Sequence, residues 1–190
     1  MRLALILCFA IVLDGCLKSR TTETVTIKSG SPVSATLSPA GDSPQMFTAM
    51  FNDSKGGSHI AEVTLSVMSN NIRPGSRSRW SANECLVRYD IPTNEIWLVS
   101  DLGGTWGSHA IIAGTSSTFS NSQCTVMASG SSAKISGNTV TVNVALEFAA
   151  AFAGAKQLYI ASKDVNGNWS ANQQQPGDFI AAPTSTQQSR

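Results

Sequence analysis

Apolar residues recur at every second position in several short runs of this chain, the period of a strand with one buried face. The clearest run spans residues 138–148, where Val140, Val142, Val144, Leu146 and Phe148 alternate with Thr139, Thr141, Asn143, Ala145 and Glu147. Residues 45–51 set Phe47, Ala49 and Phe51 on one face and then meet the turn residues 52–57. Residues 60–68 alternate as well, with Ala61, Val63, Leu65 and Val67 facing one way. Cys85, Val87 and Tyr89 form the inner set of the next strand, and residues 94–99 run back from it across the turn Asp90-Ile91-Pro92-Thr93 as a hairpin. Residues 158–162 make a further strand that ends at the turn 164–168, and Gly137-Asn138 marks another turn. The one candidate for a helical turn, residues 149–154, is expected to cross between sheets. Short strands at this spacing, with almost no helical period, predict an all-β fold, an antiparallel β-sandwich.

Composition narrows the class. Charged residues are 13% of the chain, against about 25% in ordinary soluble domains. Polarity is carried instead by Ser, Thr, Asn, Gln and Gly, which suits an exported β-protein with polar turns. The net charge is +1 and stays there if residues 1–15 are removed, since Arg2 and Asp14 leave together. No global field draws the chain to nucleic acid.

The N-terminus carries an address. Met1-Arg2 precedes an apolar run from residue 3 to residue 13, too short to cross a bilayer as a permanent helix, which needs about 20 residues. This is the layout of a signal peptide. Leu13-Asp14-Gly15-Cys16 resembles a bacterial lipobox, with Cys16 as the lipid acceptor; Asp14 departs from the small uncharged residue usual there. The expectation is a lipoprotein anchored in the cell envelope through Cys16, or a secreted protein if Cys16 is not lipidated. Residues 16–31 read as the lipidated cysteine and a polar tether, 32–182 as the sandwich, and 183–190 as a disordered tail.

Cysteine usage agrees. Cys8 would leave with the signal and Cys16 would be acylated, so Cys85 and Cys124 remain as one even pair in an oxidising compartment. A bridge between them would close a loop of about 40 residues, worth roughly 3–4 kcal/mol in the chain-entropy model.

Several stretches carry a resemblance: residues 43–48, Glu84-Cys85-Leu86-Val87-Arg88-Tyr89-Asp90, residues 121–125, 136–142, 151–156 and 164–168. Together they resemble an immunoglobulin-like domain found, often in several copies, in exported bacterial proteins of mostly unassigned role. The resemblance spans roughly residues 32 to 180. It implies a sandwich with Cys85 bridged to Cys124, and it implies no catalytic residues. Two departures stand out. Residues 70–83 look longer and more basic than usual, and residues 173–179 replace the tryptophan-containing pieces expected near the C-terminus.

Chemistry-bearing motifs are sparse. The two histidines, His59 and His109, sit in Gly/Ser-rich turns and read as exposed loop residues, without the spacing of a metal site. Ser108 beside His109 is not expected to act as part of a triad, because adjacent side chains on extended backbone point apart. Asp53, Asp90, Asp101 and Asp164 lie in turn-like sequence, where Asp serves backbone N–H groups. Residues 164–168 open like a calcium loop, but Trp169 and Gln175 stand where Gly and Glu are needed. No catalytic residue, metal or cofactor is expected.

The stretch with Arg73, Arg77, Arg79 and Trp80 is the most distinctive candidate for ligand contact. Arginines beside an aromatic ring can hold acidic groups, and the ring can stack on a sugar. Trp97 and Val99 fall opposite Ile96 and Leu98, so that side of the hairpin either presents an apolar contact patch or is covered by Trp106. The reading is a non-catalytic envelope module with a structural, adhesive or protein-binding role. The rival is a carbohydrate-binding module using Trp80, Trp97 and Trp106, with the arginines on acidic groups.

Overall fold

Strands form where the sequence alternates, and every pairing is antiparallel. The computed structural model describes residues 27–28, 33–40, 44–69, 84–170, 173–174 and 179–181. Within them run β1 (Ile27–Lys28), β2 (Val33–Ala40), β3 (Gln45–Asp53), β4 (Ile60–Ser69), β5 (Cys85–Asp90), β6 (Glu95–Leu98) and β7 (Ile111–Ile112). They continue as β8 (Thr118–Ser120), β9 (Cys124–Ser136), β10 (Thr139–Phe148), β11 (Gly154–Asp164), β12 (Gln173–Gln174) and β13 (Phe179–Ala181). The first sheet has the order β1-β2-β3-β10-β9-β8; the second has β12-β11-β4-β5-β6-β7, with β13 also paired to β11. Strand β1 lies within the stretch expected as a tether, where Ile27 pairs with Ala35. The signal segment, Cys16 and residues 183–190 lie outside the described residues.

The two sheets close on one core. Phe47, Ala49, Phe51, Val126, Val140, Val142, Leu146 and Phe148 come from the first sheet; Ile60, Val63, Leu65, Val67, Val87, Tyr89, Ile96, Leu98, Leu158 and Ile160 come from the second. The expected inward set of β10 is buried at all five positions. Cys85 of β5 and Cys124 of β9 are bridged through this core, joining one sheet to the other. At one end Phe47, Phe148 and Phe179 meet ring to ring, with centroids 5.2–6.1 Å apart, so β13 seals the end of the sandwich with Phe179. The short 3₁₀ turn Ala150–Phe152 carries the chain from β10 in the first sheet to β11 in the second, the crossing that the sequence suggested.

Two irregularities re-aim side chains. Between β4 and β11 the register steps from Glu62↔Lys163 to Ile60↔Asp164. Ala61 was expected on the inner face; instead Ile60 enters the core, because the step inserts one residue into the alternation. The second lies in β9, where the pairing with β10 jumps from Ser132↔Asn143 to Met127↔Ala145. Ser131 repairs the gap: its Oγ donates to the Met127 carbonyl (2.8 Å) and accepts from the Ala145 N–H (3.1 Å). A Cβ on Gly130 would fall 2.7 Å from the Ala145 Cβ, so the bulge requires glycine there.

Candidate functional site

Chemistry gathers on the outer face of the second sheet. The turn after β5 ends at Asn94, whose backbone is left-handed (φ 59). Its Oδ1 accepts from the Tyr89 hydroxyl and its Nδ2 donates to the Ala113 carbonyl (3.1 Å). That turn sets Arg88 directly opposite Trp97 on β6. Beyond β6 the chain folds back, with the Ser100 N–H on the Thr105 carbonyl and the Gly107 N–H on the Leu98 carbonyl, which brings Trp106 beside Val99. Gly107 is needed there, because a Cβ would strike the Phe119 ring at 2.2 Å.

The result is a stack. The Arg88 guanidinium carbon lies 4.9 Å from the Trp97 ring centre and 4.7 Å from that of Trp106. Each contact is a cation–π interaction, worth roughly 0.5–2 kcal/mol according to exposure. Arg88 Nε and Trp97 Nε1 are buried without hydrogen-bond partners, so ring contact rather than hydrogen bonding by these groups fixes the pair. Val99, which the sequence placed with Trp97 on a patch, is itself buried.

Alongside runs a row of charges. Register places Lys163 of β11 opposite Glu62 of β4, Glu62 opposite Asp90 of β5, and Asp90 opposite Glu95 of β6. The Lys163 ammonium is 3.7 Å from the Glu62 carboxylate and 5.5 Å from the centre of the Trp169 ring. Burial raises the Glu62 carboxyl above its ordinary value and Asp90 adds to this; Lys163 and Arg88 oppose it. Trp169, held by a bridge to Lys163, is 48% exposed.

The singled-out residues thus divide. Trp97 and Trp106 come together around Arg88. Arg73, Arg77, Arg79 and Trp80 lie outside the described residues. Arg88, Glu62, Lys163 and Trp169 were not anticipated. Arg88 was legible, since pairing Asp90 with Glu95 across the turn and stepping back two residues meets Trp97.

His59 departs from expectation, whereas His109 is an exposed loop residue as expected. His59 is not a free loop residue: its Nδ1 lies 2.8 Å from Oδ2 of Asp53, its side chain is only 16% exposed, and Asp53 is buried. Asn166 Nδ2 approaches the other ring nitrogen at 3.3 Å, so His59 ties the end of β3 to the turn after β11. Ser108 Oγ and His109 Nδ1 do meet, at 3.0 Å, because the backbone is not extended there, while the His109 ring stacks on Phe119 at 4.5 Å.

Three of the four aspartates serve their own turns, while Asp101 reaches across to a distant loop at Ser122. Asp53, Asp90, Asp101 and Asp164 each accept a backbone N–H, from Lys55, Thr93, Ser122 and both Asn166 and Asn168 respectively. Asp164 also accepts from the Asn168 amide, and these bonds, led by Asn168, hold its carboxyl below the usual value. Its oxygens therefore serve the turn.

Scanning against protein-family models finds no match for the chain, and neither curated proteins nor solved structures match it.

Proposed function

We propose that the chain is a non-catalytic module of the cell envelope, exported and held at a membrane by a lipid on Cys16, whose second sheet meets a protein partner. The observation that carries the contact is the Trp97–Arg88–Trp106 stack, with the half-exposed Trp169 over Lys163 of β11 farther along the same sheet. Tryptophan and arginine dominate the energetic centres of protein interfaces, and a rigid sheet holds them without an ordering penalty. The lipid anchor rests on the lipobox-like Leu13-Asp14-Gly15-Cys16 and on the even pair left by the other cysteines.

A carbohydrate partner is the second reading, and Trp169 is what favours it. Its ring is exposed enough to lie under a sugar on the face that Lys163 does not cover, whereas Trp97 and Trp106 are less exposed and each gives a face to Arg88. The test is intact mass and membrane fractionation of the native chain beside Cys16→Ala, followed by envelope-polysaccharide binding by the wild type and Trp169→Ala. A diacyl-sized mass increment and membrane association, both lost in Cys16→Ala, are expected, with no polysaccharide retention. A soluble, unmodified native protein overturns the anchor. Retention that Trp169→Ala abolishes replaces the protein partner with a glycan.

A further inference from the structure

Among the described residues, the first sheet has an open edge that the tryptophan face does not use. Strand β8 pairs only with residues 125–127 of β9. Past the bulge, residues 132–136 pair with β10 on one side and with no described residue on the other. Ser132, Lys134, Ile135 and Ser136 are exposed there, Ile135 by 46%.

The hydrogen-bonding phase of this edge follows from the turn. Ser136 and Thr139 flank the two-residue turn Gly137-Asn138 and close the hairpin on each other. Bonding then alternates, so Ser132, Lys134 and Ser136 bond toward β10, while Ala133 and Ile135 direct their N–H and C=O groups to the open side. Two donor–acceptor pairs about 7 Å apart are matched by the backbone of another extended chain, the basis of strand addition.

The charge pattern selects among such chains. Lys134 is the only charged residue of β9 and sits at the centre of the open segment. A second copy of this chain would pair antiparallel about a two-fold axis. Centring the axis on Lys134 keeps all four backbone groups bonded, but it sets lysine directly against lysine, which is destabilising. Centring on Ala133 runs into the bulge at Ser131, and centring on Ile135 runs into the turn at Gly137. A partner with a carboxylate opposite Lys134 meets neither obstacle.

We propose that residues 132–136 receive an extended, acidic segment of another polypeptide as an added strand of the first sheet. The test titrates the full chain into a labelled seven-residue peptide, capped at both ends, alternating threonine and valine with glutamate at its centre. A twin peptide carries lysine at that centre, and fluorescence anisotropy reads binding. The glutamate peptide should bind about fivefold more tightly than its twin, the difference between opposite and like charges across a strand pair. Lys134→Glu should reverse the preference. Ile135→Pro, which removes an N–H that β10 does not use, should abolish binding of both peptides while the melting curve keeps its shape. Binding of neither peptide to the wild type, equal binding of the two, or a preference unchanged in Lys134→Glu overturns the proposal. Reversible dimerisation of the wild type in sedimentation, lost in Ile135→Pro, overturns it in favour of a second copy.

Discussion

The two sheets share a core yet turn different chemistry outward. The first presents mainly uncharged rungs, with Lys134 and Glu147 its charged members on β9 and β10: Thr48 Oγ1 donates to Asn143 Oδ1 at 2.8 Å, Asn143 Nδ2 to Ser132 Oγ at 3.1 Å, and Asn52 Nδ2 to Thr139 Oγ1 at 3.2 Å. The second presents Arg88 between two indoles and the row Lys163–Glu62–Asp90–Glu95. In the first face the polar groups satisfy one another at little electrostatic tension. In the second, buried N–H groups stay unpaired and a carboxylate is raised by desolvation. Unrelieved polar groups are more frequent where a surface is built to meet something else. The second face thus carries two buried donors without partners, Arg88 Nε and Trp97 Nε1, which is what supports the contact proposed for it.

Three perturbations sharpen this contrast. The largest acts on the bond common to both sheets. Replacing Cys85 and Cys124 by alanine opens a loop with a sequence separation of 39, and should lower unfolding free energy by about 4 kcal/mol, measured by urea denaturation. Both faces should then lose protection from hydrogen exchange together; loss from one sheet alone would mean that the core does not couple them.

Next come single changes on each face. Arg88→Ala should cost about 2 kcal/mol, because two cation–π contacts vanish while one unpaired donor is also relieved. It should also shift the tryptophan emission. Asn143→Ala should cost about 1 kcal/mol, two partly exposed hydrogen bonds, and leave the emission unchanged. Equal losses would mean that the stack holds no more than the polar rungs do.

The smallest effect is a pH dependence at Glu62. Its folded pKa lies above the ordinary 4.5, so it favours the fold fully below that pH and loses the contribution as pH rises through the folded value. Urea midpoints of Glu62→Gln and wild type should therefore converge in acid and separate above it, with the variant ahead. A constant offset from acid to neutral pH would show that burial does not set this carboxyl's titration.

Most of the core was legible because period-two alternation reports one buried face. Val140, Val142, Val144, Leu146 and Phe148 were readable for that reason, as was the β5–β6 hairpin from its turn residues. Strand β9 was not. After Cys124, Val126 and Ala128 its alternation dissolves into Ser129-Gly130-Ser131-Ser132, where a bulge repaired by a serine hydroxyl replaces apolar burial. Ala61 misled for the same reason, since a one-residue step there turns Ile60 into the core, leaves Val63, Leu65 and Val67 in place, and leaves no compositional trace. Asp53 and His59 are six positions apart, and only the folded corner brings them into contact. Of the outer face, Trp97 and Trp106 were visible as residues, but the stack depends on Arg88, whose place emerges only when the hairpin register is counted through.

The pairing of β3 with β10 also sets a timetable for folding. Gln45 meets Leu146 and Asn52 meets Thr139, so the centre of the first sheet joins segments far apart in sequence. Contacts this remote are closed late and slowly, because the intervening loop must lose its freedom first. While the chain emerges from N-terminus to C-terminus, β4, β5 and β6 can zip as successive strands, but one side of β3 waits until β10 has appeared. During that interval the apolar side chains of β3 stand ready for a wrong partner, which makes the delay between these two strands the window in which misassembly is decided.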